Sequence, residues 1–128
     1  MEAGRGGLME RDKPRGVTRL LRAFVSAQGL HGTFRAEAAF RQELLCALIA
    51  IPLGLWLGRS GVERALLVAP VLLVLVVELV NSAIEATVDR IGPERHPLAG
   101  LAKDAGSAAV FMSFVLWGVV WALLLTDR

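Results

Sequence analysis

The chain has 128 residues, 55% of them hydrophobic and 20% charged, with a mean hydropathy of +0.56. That is one domain's worth of sequence and too apolar for a soluble domain of this size, so the class is a polytopic membrane protein. The single cysteine, Cys46, excludes an intramolecular disulfide and a CxxC metal site, and a net charge of +2 is too small to point to a partner. No aromatic-interleaved basic motif supports a nucleic-acid surface.

Residues 1–15 (MEAGRGGLMERDKPR) mix both charge signs with glycine and proline and have no apolar periodicity. This predicts a disordered cytoplasmic tail, and without an apolar h-region it does not read as a signal peptide. From Val17 the pattern changes. Val17, Leu20, Leu21, Phe24 and Val25 recur at helical spacing, with Arg19, Arg22 and Ser26 on the opposite side. The spacing predicts an amphipathic helix over about 17–31, lying on the inner membrane surface or packed on its own domain. Gly29 and Gly32 break it around His31.

The segment TFRAEAAFRQE at 33–43 leads straight into LLCALIAIPLGLWLG. Leu44–Gly58 alone gives roughly 22 Å of helix, short of a bilayer crossing. The span is therefore expected over about 37–58, with the charged turn Glu37–Glu43 in the inner interface, Pro52 placed to kink it, and Cys46 as a small buried residue. Gly58–Glu63 reads as a short outer turn. A second span is expected over about 64–90, stopped by Gly92 and Pro93. The link GPERHP precedes a third span over about 98–126, with Pro97 in its first turn. The early part of that span is small (Ala99, Gly100, Ala102, Ala105, Gly106, Ser107, Ala108, Ala109), which favours close helix approach. Trp117 and Trp121 fit an outer interfacial belt or core packing equally well.

Eight of the 14 basic residues precede the apolar stretch of the first span (Arg5, Arg11, Lys13, Arg15, Arg19, Arg22, Arg35, Arg41). Arg90, Arg95 and Lys103 flank the second link, while Arg59 and Arg64 lie in the first and Arg128 at the end. The positive-inside rule then places the N-terminus and second link in the cytoplasm and the C-terminus outside.

The chemistry concentrates in ELVNSAIEATVD, Glu78 to Asp89. Relative to Glu78, a helix puts Asn81 at about 300°, Ser82 at about 40°, Glu85 at about 340° and Asp89 at about 20°. Five polar side chains thus share one stripe. The bland alternative is a helix end leaving the bilayer with solvated charges. Glu78 argues against it, because it lies about 20 Å from the outer edge, inside a core of ~30 Å. Glu85 is about 10 Å further on, at headgroup level, and Asp89 is at the rim. An intramembrane carboxylate is a functional hypothesis by default. A stripe running from lipid depth to water can take a lipid alcohol from one end and a soluble reagent from the other.

Glu37 lies at a depth comparable to Glu85, and two carboxylates from different helices can hold Mg²⁺. Lys103 and Ser107 share a face of the third helix, where Lys103 can meet a phosphate. The chain lacks GxxxxGK[ST] and the Gly-rich loop and HRD/DFG set of protein kinases. His96 has no second His or Cys at ligand spacing, so zinc is not expected and a solvent-facing loop histidine is the plain reading.

EAAFRQE at 37–43, VELVNSAIEATVDRIG at 77–92, His96 and AKDAGSAAV at 102–110 resemble the prokaryotic diacylglycerol kinase family of small membrane enzymes. The resemblance covers about residues 16–126. It implies an all-α membrane protein: an amphipathic surface helix and three transmembrane helices, assembled as a homotrimer in the bacterial inner membrane. Residues 16–128 then form a single kinase domain, which transfers the γ-phosphoryl of ATP to a lipid alcohol with Mg²⁺ and gives a phosphatidic-acid-type product. By the same resemblance Glu78 matches the catalytic base, and Glu37 and Glu85 the metal-binding carboxylates, which also touch ATP. Arg19, Glu94, Arg95, His96, Lys103 and Asp104 fall where the nucleotide is held. Arg19, Ala39, Phe40, Arg41, Gln42, Glu43, Glu78 and Ser107 fall around the lipid. Asn81 supports Glu78 or Glu85, with Asp89 at the end of the stripe. Pro93 and Pro97 depart from the pattern in the nucleotide-side loop, Val25 stands where an aromatic is expected, and the spacing before Glu37 is one residue shorter.

Diacylglycerol is the expected acceptor, with undecaprenol the alternative by the same chemistry. From a different class, an ion- or proton-conducting subunit also uses intramembrane carboxylates, and a non-catalytic assembly subunit would use the small-residue face. The apolar outer half of every span and the cytoplasmic Lys103–Asp104 pair argue against both. The topology is directly testable. Cysteines introduced at Gly7 and Ser60 are expected to label from opposite sides of sealed vesicles, and labelling from the same side refutes the orientation.

Overall fold

The computed structural model describes residues 16–18 and 38–128. The expected tail and nearly all of the expected amphipathic helix, with Arg19 and Glu37, lie outside the described residues; Gly16–Thr18 are helical and exposed. The rest is three long helices: α1 (Ala38–Leu57), α2 (Gly61–Ile91) and α3 (Pro97–Thr126). All three are long and apolar enough to cross a membrane. No strand occurs among the described residues, as expected where backbone groups must be satisfied within each crossing segment.

Helix α2 packs against both α1 and α3. Its buried positions are Leu67, Pro70, Val71, Val74, Glu78, Asn81 and Ser82, a single stripe at helical spacing. In the half of the bundle that the basic-residue pattern assigns to the outer side, and that is called outer on that expectation alone, Val71 packs with Ala47 and Ala50 of α1, and Ile51, Leu75, Trp117 and Trp121 close over them. Gly54 of α1 lets Leu67 approach, since a Cβ at 54 would stand 3.1 Å from that of Leu67.

Proline at position 70 deprives the Leu66 carbonyl of its helical donor and loosens the ladder around it. The next carbonyl, Leu67, accepts a 2.9 Å hydrogen bond from Trp121 Nε1. Trp121 is thus committed to the interior of the bundle, with its ring edge-on to Trp117 at 6.1 Å. Cys46, expected to be buried, is exposed instead. Leu45, Leu48, Ile49, Trp56, Phe111, Met112 and Leu123 are also exposed. Such apolar faces suit lipid tails or other copies of the chain.

The outer ends are tied by capping. Ser60 accepts from the Glu63 amide at 3.1 Å, while Glu63 accepts from the Arg59 amide at 2.7 Å. This S-x-x-E box starts α2 at Gly61, about one turn before the expected Arg64, and the signal is legible in the sequence. At the end of α1 the orphan carbonyls of Leu55 and Leu57 accept from Arg64 Nε and Arg128 Nη2 respectively. Arg128 also pairs with Glu63 at 3.4 Å, so the last residue joins the outer turn.

At the inner end Gly92 terminates α2 with φ 151° and ψ 168°, a conformation open essentially to glycine alone. Pro97 occupies the first turn of α3, and His96 caps it by accepting the Leu98 amide on Nδ1 at 3.1 Å.

The outer turn yields a stability test. A Cβ at Gly58 would lie 2.9 Å from the Arg64 backbone nitrogen, whereas one at Gly61 meets nothing within 4 Å. Gly58→Ala is expected to destabilise the folded protein by about 1–3 kcal/mol through overpacking, and Gly61→Ala to be neutral or better. Thermal unfolding in one detergent checks the pair, and equal midpoints would rule out the close-approach role.

Candidate active site

The inner half of α2 carries the polar continuation of its core stripe. Glu78 is 4% exposed, Asn81 7% and Ser82 9%, so the carboxylate at this depth is enclosed by the chain. Ser82 Oγ turns back to the Glu78 carbonyl at 2.9 Å, which satisfies the hydroxyl locally. Asn81 Nδ2 reaches Glu85 Oε1 at 3.4 Å, a long hydrogen bond between residues one turn apart. Glu85 is half-buried and Asp89 exposed. The stripe therefore grades from enclosed to solvent-facing over three turns, as its sequence spacing predicts.

Beyond Glu85 the helix end, the link and the start of α3 surround a cleft of about 520 Å³. That falls within the ~300–1,000 Å³ usual for small-molecule sites. Asp89, Glu94, Arg95, His96 and Lys103 line it, with Gly92, Pro93, Pro97, Ala99 and Gly100 forming much of its floor. Lys103 Nζ is held 2.7 Å from Asp89 Oδ1, bridging α3 to α2 at the mouth. Because His96 Nδ1 accepts from the backbone, the neutral ring carries its proton on Nε2, which is left as a donor. An ammonium, a guanidinium and an imidazole donor give the cleft three groups that can meet a phosphate, while the carboxylates of Asp89 and Glu94 leave its lining with no net charge.

Other candidates are less gathered. Asp104 and Ser107 are exposed on α3 and do not line the cleft. Ala39, Arg41 and Gln42 are exposed on the first turns of α1, Glu43 is half-buried, and Phe40 is 2% exposed and belongs to the interior. Gly106 is a residue that pattern reading registered only as small. It is buried in α3 directly opposite the Asn81 amide. The signal lay in the small-residue run, but its pairing with Asn81 required the two helices in register.

Among the described residues no three His, Cys, Asp or Glu side chains cluster tightly enough to cage a metal ion. Mg²⁺ does not need such a cage, since it keeps waters and phosphate oxygens and takes one or two carboxylates from the protein. The hard carboxylate of Glu85, half-buried one turn before the cleft, fits that donor set.

The family model described as prokaryotic diacylglycerol kinase matches residues 24–125. A curated diacylglycerol kinase of Haemophilus influenzae is 48% identical over 114 residues, covering 88% of this chain and 97% of the relative. The diacylglycerol kinase of Escherichia coli is 47% identical over 111 residues, covering 86% and 91%. That of Pseudomonas aeruginosa is 51% identical over 111 residues, covering 86% and 90%. The matched region takes in all of α1 and α2, nearly all of α3, and every residue of the stripe and cleft. With that coverage and this arrangement of three apolar helices around an enclosed glutamate, the chain belongs to the prokaryotic diacylglycerol kinase family.

Proposed function

We propose that this chain is a membrane lipid kinase that transfers the γ-phosphoryl of ATP to the free hydroxyl of diacylglycerol, giving phosphatidic acid and ADP. The observation that carries it is the single stripe on α2, with Glu78 enclosed and Glu85 half-buried one turn before the cleft lined by Asp89, Glu94, Arg95, His96 and Lys103. The two substrates differ in where they can travel. Diacylglycerol arrives within the bilayer with its hydroxyl near the headgroups, and ATP arrives from the cytoplasm.

In this reading Glu78 receives the proton of the acceptor hydroxyl as its oxygen attacks the γ-phosphorus. The bond from that phosphorus to the β–γ bridging oxygen breaks and the electron pair leaves with ADP. Phosphoryl transfer asks the protein mainly for positioning and charge neutralisation. Lys103, Arg95 and the Nε2 edge of His96 supply donors to the phosphates, with Glu94 and Asp104 alongside. Glu85, with Glu37, would hold Mg²⁺, which when bound neutralises charge on the β- and γ-phosphate oxygens. Asn81 orients Glu85 through its amide hydrogen. Arg19, the Ala39–Glu43 turn and Ser107 form the lipid-side surroundings.

The working unit is a homotrimer in the bacterial inner membrane, with the N-terminus cytoplasmic and the C-terminus outside. Supporting this, α3 buries only Gly106 and Ser113 within the chain, leaving a long apolar surface for neighbouring copies. Crosslinking in mild detergent is expected to trap trimers, and fully active monomer alone would refute the assembly.

The division of labour is tested by two isosteric variants. Glu78→Gln keeps the shape and removes the base, so turnover falls by about 10²–10⁴-fold while MgATP affinity changes little. Glu85→Gln weakens MgATP binding, with partial recovery at high Mg²⁺. Turnover on diacylglycerol and on undecaprenol, with the labelled product identified, also settles the acceptor. Loss of MgATP binding in Glu78→Gln with retention in Glu85→Gln would reverse the two assignments, and no phosphorylated lipid at all would overturn the activity.

A further inference from the structure

Asn81 has an amide with two unlike ends, and its surroundings treat them differently. Its Nδ2 is directed along α2 to Glu85 Oε1 at 3.4 Å. Its Oδ1 is buried and accepts no hydrogen bond among the described residues. That oxygen lies against Gly106 of α3, in the space a side chain there would fill: a Cβ at 106 would overlap Oδ1 and stand 3.3 Å from Cγ. The next nearest atom, Ile84 Cδ1, is at an ordinary 3.8 Å. The missing Cβ thus makes room for one group, the Asn81 amide.

We propose that Gly106 is a positioning residue for Glu85, acting through Asn81. The inference rests on reading Glu85 as the carboxylate that meets the metal–nucleotide complex. The amide cannot be turned end for end, because its oxygen would then face the oxygens of Glu85. With the NH₂ on Glu85, the oxygen must point at α3, and only a glycine at 106 leaves it that volume. Displacing the amide by even a few tenths of an ångström breaks the bond, since 3.4 Å is already at the long edge of hydrogen bonding. Glu85 then loses the contact that holds its carboxylate along the stripe. The cost of leaving Oδ1 without a donor is accepted at a position where it aims the other end of the amide.

A double-mutant cycle tests this, because a Cβ at 106 meets the Asn81 side chain closely and no backbone. Gly106→Ala and Asn81→Ala are each expected to raise KM for MgATP about tenfold, the size of a lost hydrogen bond to a charged group, with kcat at saturating nucleotide changed less. The double variant is expected to match Asn81→Ala within about twofold. Penalties that multiply to about a hundredfold would overturn the inference, as would an unchanged KM in Asn81→Ala. Should Gly106→Ala fail to assemble, adding Asn81→Ala is expected to restore folded yield; no recovery would overturn the inference too. Glu85→Gln is measured alongside. If it leaves KM for MgATP unchanged, the metal assignment fails and takes the inference with it, whereas multiplying penalties sink the inference alone.

Discussion

Carrying a carboxylate into hydrocarbon is costly unless protein surrounds it, and the fold is arranged around that constraint. One stripe of α2 does two jobs along its length. In the outer half Leu67, Val71 and Val74 make the apolar core, and in the inner half the same helical register continues as Glu78, Asn81 and Glu85. The neighbours that pack against the apolar part are therefore already in place to enclose the polar part. Burial of Glu78 follows from continuing a core rather than from building a separate pocket.

The two ends of the bundle differ in how tightly they are held. At the outer end Ser60 caps α2, Arg64 and Arg128 close the last carbonyls of α1, and Trp121 ties α3 to the Leu67 carbonyl beside Pro70. At the inner end α2 stops at Gly92, and the link to α3 leaves a cleft with exposed charged groups. One end of the bundle is thus braced and the other open, the open end being the one that carries the cleft. The Asp89–Lys103 pair sits at that boundary, with both side chains substantially exposed. An exposed pair of this kind adds little to stability, so its interest is that it joins α3 to α2 beside the cleft.

Polar groups within the helical bundle recur in pairs: Ser82 with a carbonyl of its own helix, Asn81 with Glu85, Trp121 with Leu67. In water each would be a minor contact. Inside a bilayer the alternative partner is missing, so each contact restricts where its side chain can point. The unanswered oxygen of Asn81 is the departure from this economy, and its neighbour is a glycine.

By itself the sequence determined the helices and the stripe. Apolar run length sets the three spans, the 100° advance per residue puts Glu78, Asn81, Ser82 and Glu85 on one face, and Gly92–Pro93 marks the stop. Even the start of α2 was written in Ser60 and Glu63, as a local capping signal. What local rules cannot decide is which faces meet. The choice between belt and core for Trp121, the exposure of Cys46, and the capture of Leu57 by Arg128 depend on residues more than fifty positions apart or on faces left uncovered. The opposition of Gly106 and Asn81 is the same kind of fact. Periodicity gives each helix its own stripe, but only packing sets the rotation and register of one helix against the next, and the contact between Gly106 and Asn81 is made there.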